Sequence, residues 1–163
     1  MKVFSVAGYH HTGKTTVTVE LIKNLKERGF TVTSIKDIHN ENFTMEKEGS
    51  NSWKHAQASG DTVIARGISE TYQIWNRQLS LNEMLSNLKS DFVVVEGMKN
   101  VALPRIICAK DEEQLEELID GTVFAISGIY ANDHDKYKDL KTFNSKNQMK
   151  ELTDLVIEKV FHV

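Results

Sequence analysis

One short segment near the amino terminus constrains the fold more than any other part of the chain. Residues 8–15 match the phosphate-loop pattern G-x-x-x-x-G-K-[ST]. The apolar run 3–7 before them is typical of a buried strand, and residues 16–28 after them repeat apolar side chains at helical spacing. Because a phosphate loop joins a strand to a helix, these flanks favour a phosphate site over a plain glycine-containing turn.

A loop of this kind binds phosphate mainly through its backbone. Its N–H groups surround the phosphate oxygens, and the positive end of the following helix dipole points at the same anion. We expect Lys14 to reach the β- and γ-phosphates and the Thr15 hydroxyl to bind Mg²⁺. The predicted nucleotide-binding residues are Gly8, Tyr9, His10, His11, Thr12, Gly13, Lys14, Thr15 and Thr16.

The rest of the chain alternates between strand and helix patterns. Further strands are predicted at 31–36, 62–65, 71–75, 92–95, 105–108 and 122–126, and helices at 53–58, 81–88, 111–119 and 145–160. The sequence also predicts a turn at Gly67, an N-cap at Ser80 and a capping box at 145–148. This alternation predicts an α/β fold, a P-loop NTPase-like three-layer sandwich with a mainly parallel sheet and helices on both faces. With 163 residues, the chain is expected to form a single nucleotide-binding domain, 1–163.

Composition argues against several classes of protein. The net charge is −3 and no block of Lys and Arg stands out, which disfavours nucleic acid as the main partner. No apolar stretch approaches the ~20 residues that cross a membrane, and the start of the chain does not resemble a signal peptide. The single cysteine, Cys108, fits a reducing cytoplasm and is expected to be a small core residue.

Two carboxylates follow predicted strands at the edge where ligands bind in parallel sheets. Glu96 ends the buried run 92–95, where it could hold a magnesium-bound water or orient a water that attacks the γ-phosphate. The alternative is a strand-end glutamate facing solvent. Asp37 follows the second strand and suits Mg²⁺ better than His39 does, although it could equally be a turn residue. The predicted catalytic residues are therefore Lys14 and Glu96, and the predicted metal ligands are Thr15, Glu96 and Asp37.

Several other segments carry weaker information about the ligand. Residues 37–60 are polar and longer than a usual connection, so this segment is expected to be functional or mobile. Lys36, Lys99 and Arg105 are expected near the strand ends, either on phosphate or another anion or as solvated surface cations. The chain lacks the Asn-Lys-x-Asp element that reads guanine, and residues 126–129 are where a base contact is expected without a choice between adenine and guanine.

Five elements in order resemble those of the molybdopterin-guanine dinucleotide biosynthesis protein B family, MobB. The phosphate loop 8–16 is similar to that of the family. So are the segments Ile35-Lys36-Asp37-Ile38-His39, Gly49-Ser50-Asn51-Ser52-Trp53-Lys54-His55, Val94-Val95-Glu96-Gly97-Met98-Lys99 and Leu103-Pro104-Arg105-Ile106. The resemblance extends from the first strand to about Gly128.

The resemblance implies a GTP-binding accessory protein with slow, Mg²⁺-dependent GTP hydrolysis. It would assist a molybdopterin guanylyltransferase that joins GMP to molybdopterin, and would form a homodimer. This chain departs from the family pattern at Ser50 and Asn51, where Lys-Asp is usual, and at Asp37, where histidine is common. If those family residues touch phosphate or Mg²⁺, hydrolysis by this member would be weaker or its ligand different.

Two other classes of function remain open on sequence alone. One is an ATP-dependent small-molecule phosphotransferase, or a carboxylate-activating enzyme of the dethiobiotin synthetase type. The four scattered arginines do not form the lid that nucleotide kinases close over a transferred phosphate. The other is a non-catalytic adaptor in which residues 37–60 change conformation with the γ-phosphate.

Overall fold

The computed structural model describes residues 1–40 and 42–162. Their contacts separate them into two compact units, one formed by residues 1–38 and 89–162 and the other within residues 39–88. The division into units does not decide whether residues 1–163 form a single domain, which stays a prediction.

The chain contains strands and helices in the alternating order that the sequence predicts. They are β1 (Lys2–Gly8), α1 (Lys14–Glu27), β2 (Val32–Lys36), α2 (Asn51–Ser59), β3 (Thr62–Arg66), β4 (Thr71–Trp75), α3 (Leu81–Ser86), β5 (Phe92–Glu96), β6 (Arg105–Cys108), α4 (Glu112–Leu118), β7 (Val123–Ser127), β8 (Lys136–Tyr137), β9 (Leu140–Lys141) and α5 (Met149–Lys159). A short 3-10 helix, Tyr130–Asn132, follows β7.

The first unit is built on a five-stranded sheet in the order β2-β5-β1-β6-β7. All neighbouring strands are parallel. The strand that precedes the phosphate loop therefore lies in the centre, beside the strand that ends in Glu96. Lys36 is paired in register with Glu96, so β2 and β5 end side by side.

Helices cover both faces of this sheet, which confirms the predicted three-layer α/β fold. On one face α1 and α5 pack together over a core that includes Phe4, Leu21 and Leu152. On the other face α4 contributes Leu115 to a second core with Ile107 and others. Every residue of β5 is buried, as its continuous apolar run predicts.

Three helix starts differ from the prediction. Helix α2 begins at Asn51 rather than at residue 53, after the N-cap residue Ser50. Helix α1 begins at Lys14 rather than at Thr16, because Gly13 is already its N-cap residue. The expected capping box at 145–148 is wrong: Gln148 is the N-cap of α5 and makes no side-chain cap bond. Its side chain instead accepts a hydrogen bond from the backbone N–H of Asn144, at 2.8 Å.

The second unit, within residues 39–88, contains α2, an antiparallel hairpin of β3 and β4, and α3. The hairpin turns where Gly67 N–H donates to the Glu70 carbonyl at 2.8 Å, as predicted. Helix α3 begins after Ser80, whose hydroxyl accepts from the N–H of Glu83 while the Glu83 carboxylate accepts from Ser80. These local turn and cap residues fix the unit's elements.

Residues 1–40 and 42–162 include no helix that is both long and apolar enough to span a membrane.

Candidate nucleotide-phosphate site

The phosphate loop leaves the centre of the sheet and turns tightly into α1. A Cβ atom on Gly8 would lie 2.0 Å from the carbonyl oxygen of Cys108, so no larger residue fits at this point. Gly13 ends the loop as the left-handed N-cap of α1, and its helix has neither a side-chain cap nor an acidic residue in its first turn. The backbone N–H groups at the start of α1 are thus left for an anion, as the phosphate-loop pattern requires.

The ammonium group of Lys14 lies against the phosphate loop. Its Nζ donates to the carbonyl oxygen of Tyr9 at 2.5 Å. Partial burial is the largest cause of the lowered pKa of Lys14; Cys108 and Glu96 oppose the shift, and the positive charges of Lys99 and Lys36 add to it. The ammonium group therefore lies near a carboxylate and two further ammonium groups.

Thr15, Lys36 and Glu96 meet where β5 ends and α1 begins. The hydroxyl of Thr15 and the ammonium of Lys36 both donate to Oε1 of Glu96, each at 2.9 Å. Lys36 Nζ also donates to Thr15 Oγ1 at 3.3 Å. Glu96 is 6% exposed, so the reading of a solvent-facing strand-end glutamate does not fit this structure. The sequence pointed to Thr15 and Glu96 as a pair, but not to the contact with Lys36, which needs the strand order.

Asp37 lies directly beyond this cluster. Its N–H donates to the Glu96 carbonyl at 2.9 Å, and its Oδ2 accepts from the N–H of Met98 at 3.2 Å. Asp37 therefore holds the turn after β5 and lies next to Glu96, which is compatible with both of its predicted roles. His39 belongs to the second unit.

The other predicted loop residues divide into buried and exposed side chains. Thr12 is fully buried, and its hydroxyl donates to the Tyr9 carbonyl at 2.9 Å. The side chains of His10, His11 and Thr16 are exposed. The hydroxyl of Tyr9 donates to the carboxylate of Glu117. Thr12 thus stabilises the shape of the loop, whereas the exposed residues offer the ligand mainly their backbone.

The segment after β7 packs against the phosphate loop. Ile129 N–H donates to the Thr12 carbonyl at 3.2 Å. Gly128 has φ +80°, and a Cβ atom there would lie 2.3 Å from the same carbonyl. The sequence singled out 126–129 for a base contact but did not reveal this supporting role, which depends on β7 lying two strands from β1.

Arg105 corrects one expectation about the cations. It begins β6 and so lies at the amino end of that strand, and its guanidinium is buried. It donates to the carbonyl oxygens of Lys99 and Val101 at 3.1 and 2.7 Å, and it lies 3.4 Å from Asp120. Arg105 therefore fastens the loop between β5 and β6 and is committed to the fold. A strand pattern shows which residue starts a strand, but not which loop folds back over it.

Oxygen donors dominate the part of the site suited to a cation. Within residues 1–40 and 42–162, no group of three or more His, Cys, Asp or Glu side chains is arranged to hold a metal ion. The paired oxygens of Thr15 and Glu96 are hard ligands, and a magnesium ion that keeps several waters and binds phosphate needs only one or two from the protein. The donor set therefore fits Mg²⁺ bound together with a nucleotide.

Comparison with known proteins agrees with this geometry. Residues 3–128 match the family described as Molybdopterin guanine dinucleotide synthesis protein B. The chain is 29% identical over 168 residues to the molybdopterin-guanine dinucleotide biosynthesis adapter protein of Haemophilus influenzae, covering 98% of this chain and 90% of that protein. It is 23% identical over 128 residues to a probable adapter protein of the same kind from Bacillus subtilis, covering 76% of this chain and 74% of that protein.

Solved structures show the same fold. The crystal structure of Bacillus subtilis MobB superposes with a TM-score of 0.80 over the full length of both chains, at 21% identity. A MobB homologue from Bacillus stearothermophilus gives a TM-score of 0.73 at 20% identity, covering 98% of this chain and all of the other. The match to the family over residues 3–128 carries the assignment: this chain belongs to the molybdopterin guanine dinucleotide synthesis protein B family.

Proposed function

We propose that this protein binds GTP and Mg²⁺ at the phosphate loop, hydrolyses GTP slowly and acts as an adapter for a guanylyltransferase. Membership of the family gives it an accessory role in the synthesis of molybdopterin guanine dinucleotide. In that synthesis the partner enzyme would join GMP to molybdopterin, and this protein would present or retain the guanine nucleotide.

One observation carries the proposal: the contact of Thr15 and Lys36 with Glu96 at the mouth of the loop. Glu96 lies on the strand beside β1, so its carboxylate and the Thr15 hydroxyl are brought together at 2.9 Å. A phosphate loop needs this pairing of a loop hydroxyl with a strand-end carboxylate to hold a magnesium-bound phosphate. A structural turn would not need it.

When bound, Mg²⁺ would neutralise part of the charge on the β- and γ-phosphates. Thr15 and Glu96 are the residues that would hold it, with Asp37 close enough along the backbone to orient a bound water. Lys36 forms an ion pair with Glu96, with 2.9 Å between its Nζ and Oε1 of the carboxylate. Lys14 would leave the Tyr9 carbonyl and bind the terminal phosphates.

The positions of the two arginines in the first unit favour the proposal that hydrolysis is slow. Fast phosphoryl transfer commonly uses an arginine that stabilises charge on the transferred group. Arg28 is held by Asp154 at 2.7 Å, and Arg105 is fixed near Asp120. Neither lies at the mouth of the loop, so within the first unit such stabilisation would come from lysine or Mg²⁺.

We further propose that the protein works in the cytoplasm as a homodimer. The names of the relatives support a protein partner in the pathway, because an adapter acts on another protein. The guanylyltransferase is the partner we infer, since it uses the same nucleotide that this site is proposed to bind.

Transfer of GMP by a purified guanylyltransferase tests this adapter function. We expect the wild-type protein to increase the yield of molybdopterin guanine dinucleotide at limiting GTP. Lys14→Ala should remove the increase, because the variant would not retain GTP. Lys26→Ala, at the other end of α1, is the matched control and should behave as the wild type. An increase that survives Lys14→Ala would show that assistance does not pass through the phosphate loop.

A further inference from the structure

Lys99 occupies an unusual position for a surface lysine. It lies in the loop that follows β5, three residues after Glu96, and its side chain is exposed. Its Nζ is 4.1 Å from the centre of the Tyr9 ring. Tyr9 is the second residue of the phosphate loop, so this contact brings an ammonium group from a neighbouring loop directly onto the loop that binds phosphate.

Charges of both signs lie at the mouth of the loop. Lys36 is paired with Glu96, Asp37 lies next to Glu96, and Glu117 accepts a hydrogen bond from the Tyr9 hydroxyl. In the part of the chain that the structure describes, no ion pair or hydrogen bond of the Lys99 ammonium is found. Its charge is therefore available to a bound polyanion.

Tyr9 connects Lys99 with Lys14. The ring of Tyr9 contacts Lys99, and its carbonyl oxygen accepts a hydrogen bond from Lys14 Nζ at 2.5 Å. Both lysines thus rest on one residue at the start of the loop, on the side of the strand that carries Glu96. Since the lysine of a phosphate loop reaches the β- and γ-phosphates, a second cation beside Tyr9 would lie near the same end of a bound triphosphate.

We propose that Lys99 binds the terminal phosphate of a nucleoside triphosphate, leaving the Tyr9 ring when it does so. This inference rests on the proposed nucleotide binding and adds a residue that distinguishes a triphosphate from a diphosphate. Since the carbonyl oxygens of Lys99 and Val101 accept hydrogen bonds from Arg105, the backbone of the loop is held in place while the Lys99 side chain moves.

The test compares two nucleotides and four proteins by calorimetric titration in Mg²⁺. The nucleotides are GDP and the non-hydrolysable GTP analogue that has an imido bridge between its β- and γ-phosphates. For Lys99→Ala we expect affinity for the triphosphate to fall about tenfold or more, and affinity for GDP to change less than about threefold. Lys99→Arg should recover much of the triphosphate affinity, because its charge is retained.

The remaining proteins separate this proposal from the one on which it rests. Lys26→Ala removes one exposed lysine from the far end of α1 and should leave both affinities unchanged. If the wild-type protein binds neither nucleotide, the proposed nucleotide binding fails. If the wild type binds both, an unchanged Lys99→Ala, or one that loses both affinities equally, overturns the role of Lys99 alone.

Discussion

At the scale of single residues, the site combines an ammonium group, a hydroxyl and a buried carboxylate that come from two segments distant in the sequence. Lys14 and Thr15 start α1, while Glu96 ends β5. Each has a hydrogen-bond partner within the site, so their side chains are already directed towards the loop. Thr15 and Glu96 are thus held in place before a ligand binds, whereas Lys14 would exchange the Tyr9 carbonyl for phosphate.

Replacing Lys14 by alanine should weaken nucleotide binding without unfolding the protein. Its Nζ contacts only a loop carbonyl among the bonds described, so the hydrophobic core keeps its contacts. We expect affinity for GTP to fall about 10- to 100-fold with little change in the midpoint of thermal unfolding. Calorimetry and thermal melting measure the two effects. Affinity retained within about twofold would place the ligand elsewhere.

The thiol of Cys108 should be unreactive towards alkylating reagents in the folded protein. Burial raises the pKa of its thiol from 9.0 to about 12. Only the thiolate reacts with alkylating reagents, so iodoacetamide at pH 8 should modify the unfolded chain and spare the folded one. Rapid labelling of the native protein would show that the strand end at β6 opens readily.

The same thiol predicts a pH dependence of stability. Because the folded pKa is higher than the unfolded one, the thiol's contribution is complete below pH 9 and is lost as the pH rises towards 12. Compared with Cys108→Ala, the wild type should lose more unfolding free energy across this window. Parallel curves for the two proteins would contradict the assignment. Comparison with the variant removes the effect of other groups that titrate in the same range.

At the scale of elements, the loop depends on the strands beside it. Gly128, after β7, allows the backbone to approach Thr12 and adopts a positive φ. The loop shape is thus fixed from below by an element distant in sequence.

Gly128→Ala should therefore disturb both stability and binding. The added methyl group would lie 2.3 Å from the Thr12 carbonyl, and alanine is strained at φ +80°. We expect the unfolding free energy to fall by about 1 kcal/mol or more, with weaker GTP binding. Gly121→Ala is the matched control, since a Cβ atom there meets nothing within 4 Å. Chemical denaturation of the two variants would measure the change in unfolding free energy. Equal changes in both variants would refute the supporting role of Gly128.

Local patterns predicted most of these elements, because periodicity and caps are encoded by neighbouring residues. The strand Arg105–Cys108 and the cap Ser80 were found as predicted. The short strands β8 and β9 were missed, since two residues each are too few to show alternation. The predicted box at 145–148 failed because Gln148 turns to Asn144.

The site was only partly predictable for a different reason. The phosphate loop is a continuous pattern, and the carboxyl-end rule places Glu96 at the same edge. The contacts of Lys36 with Glu96, Lys99 with Tyr9 and Gly128 with Thr12 depend on which strands and loops are neighbours. That order arises from long-range packing and leaves no local pattern in the sequence.

At the scale of the whole molecule, the parallel sheet brings Lys36 and Glu96 to the carboxyl ends of β2 and β5, beside the loop that follows β1. Strand β1 lies between β5 and β6. The phosphate loop after β1 therefore has Glu96 of β5 on one side, and on the other side, past β6, the segment that follows β7. A protein built this way can hold a magnesium-bound nucleotide with few side chains. Such an arrangement suits an adapter whose partner performs the transfer.

Calorimetric titration with GTP, GDP and ATP in the presence of Mg²⁺ tests the central claim most directly. The account predicts that GTP binds with a dissociation constant of micromolar order and more tightly than ATP, and that removing Mg²⁺ weakens its binding. Failure to bind any guanine nucleotide, or a clear preference for ATP, would contradict it. A preference for ATP would instead favour a phosphotransferase with a small carboxylate or hydroxyl acceptor.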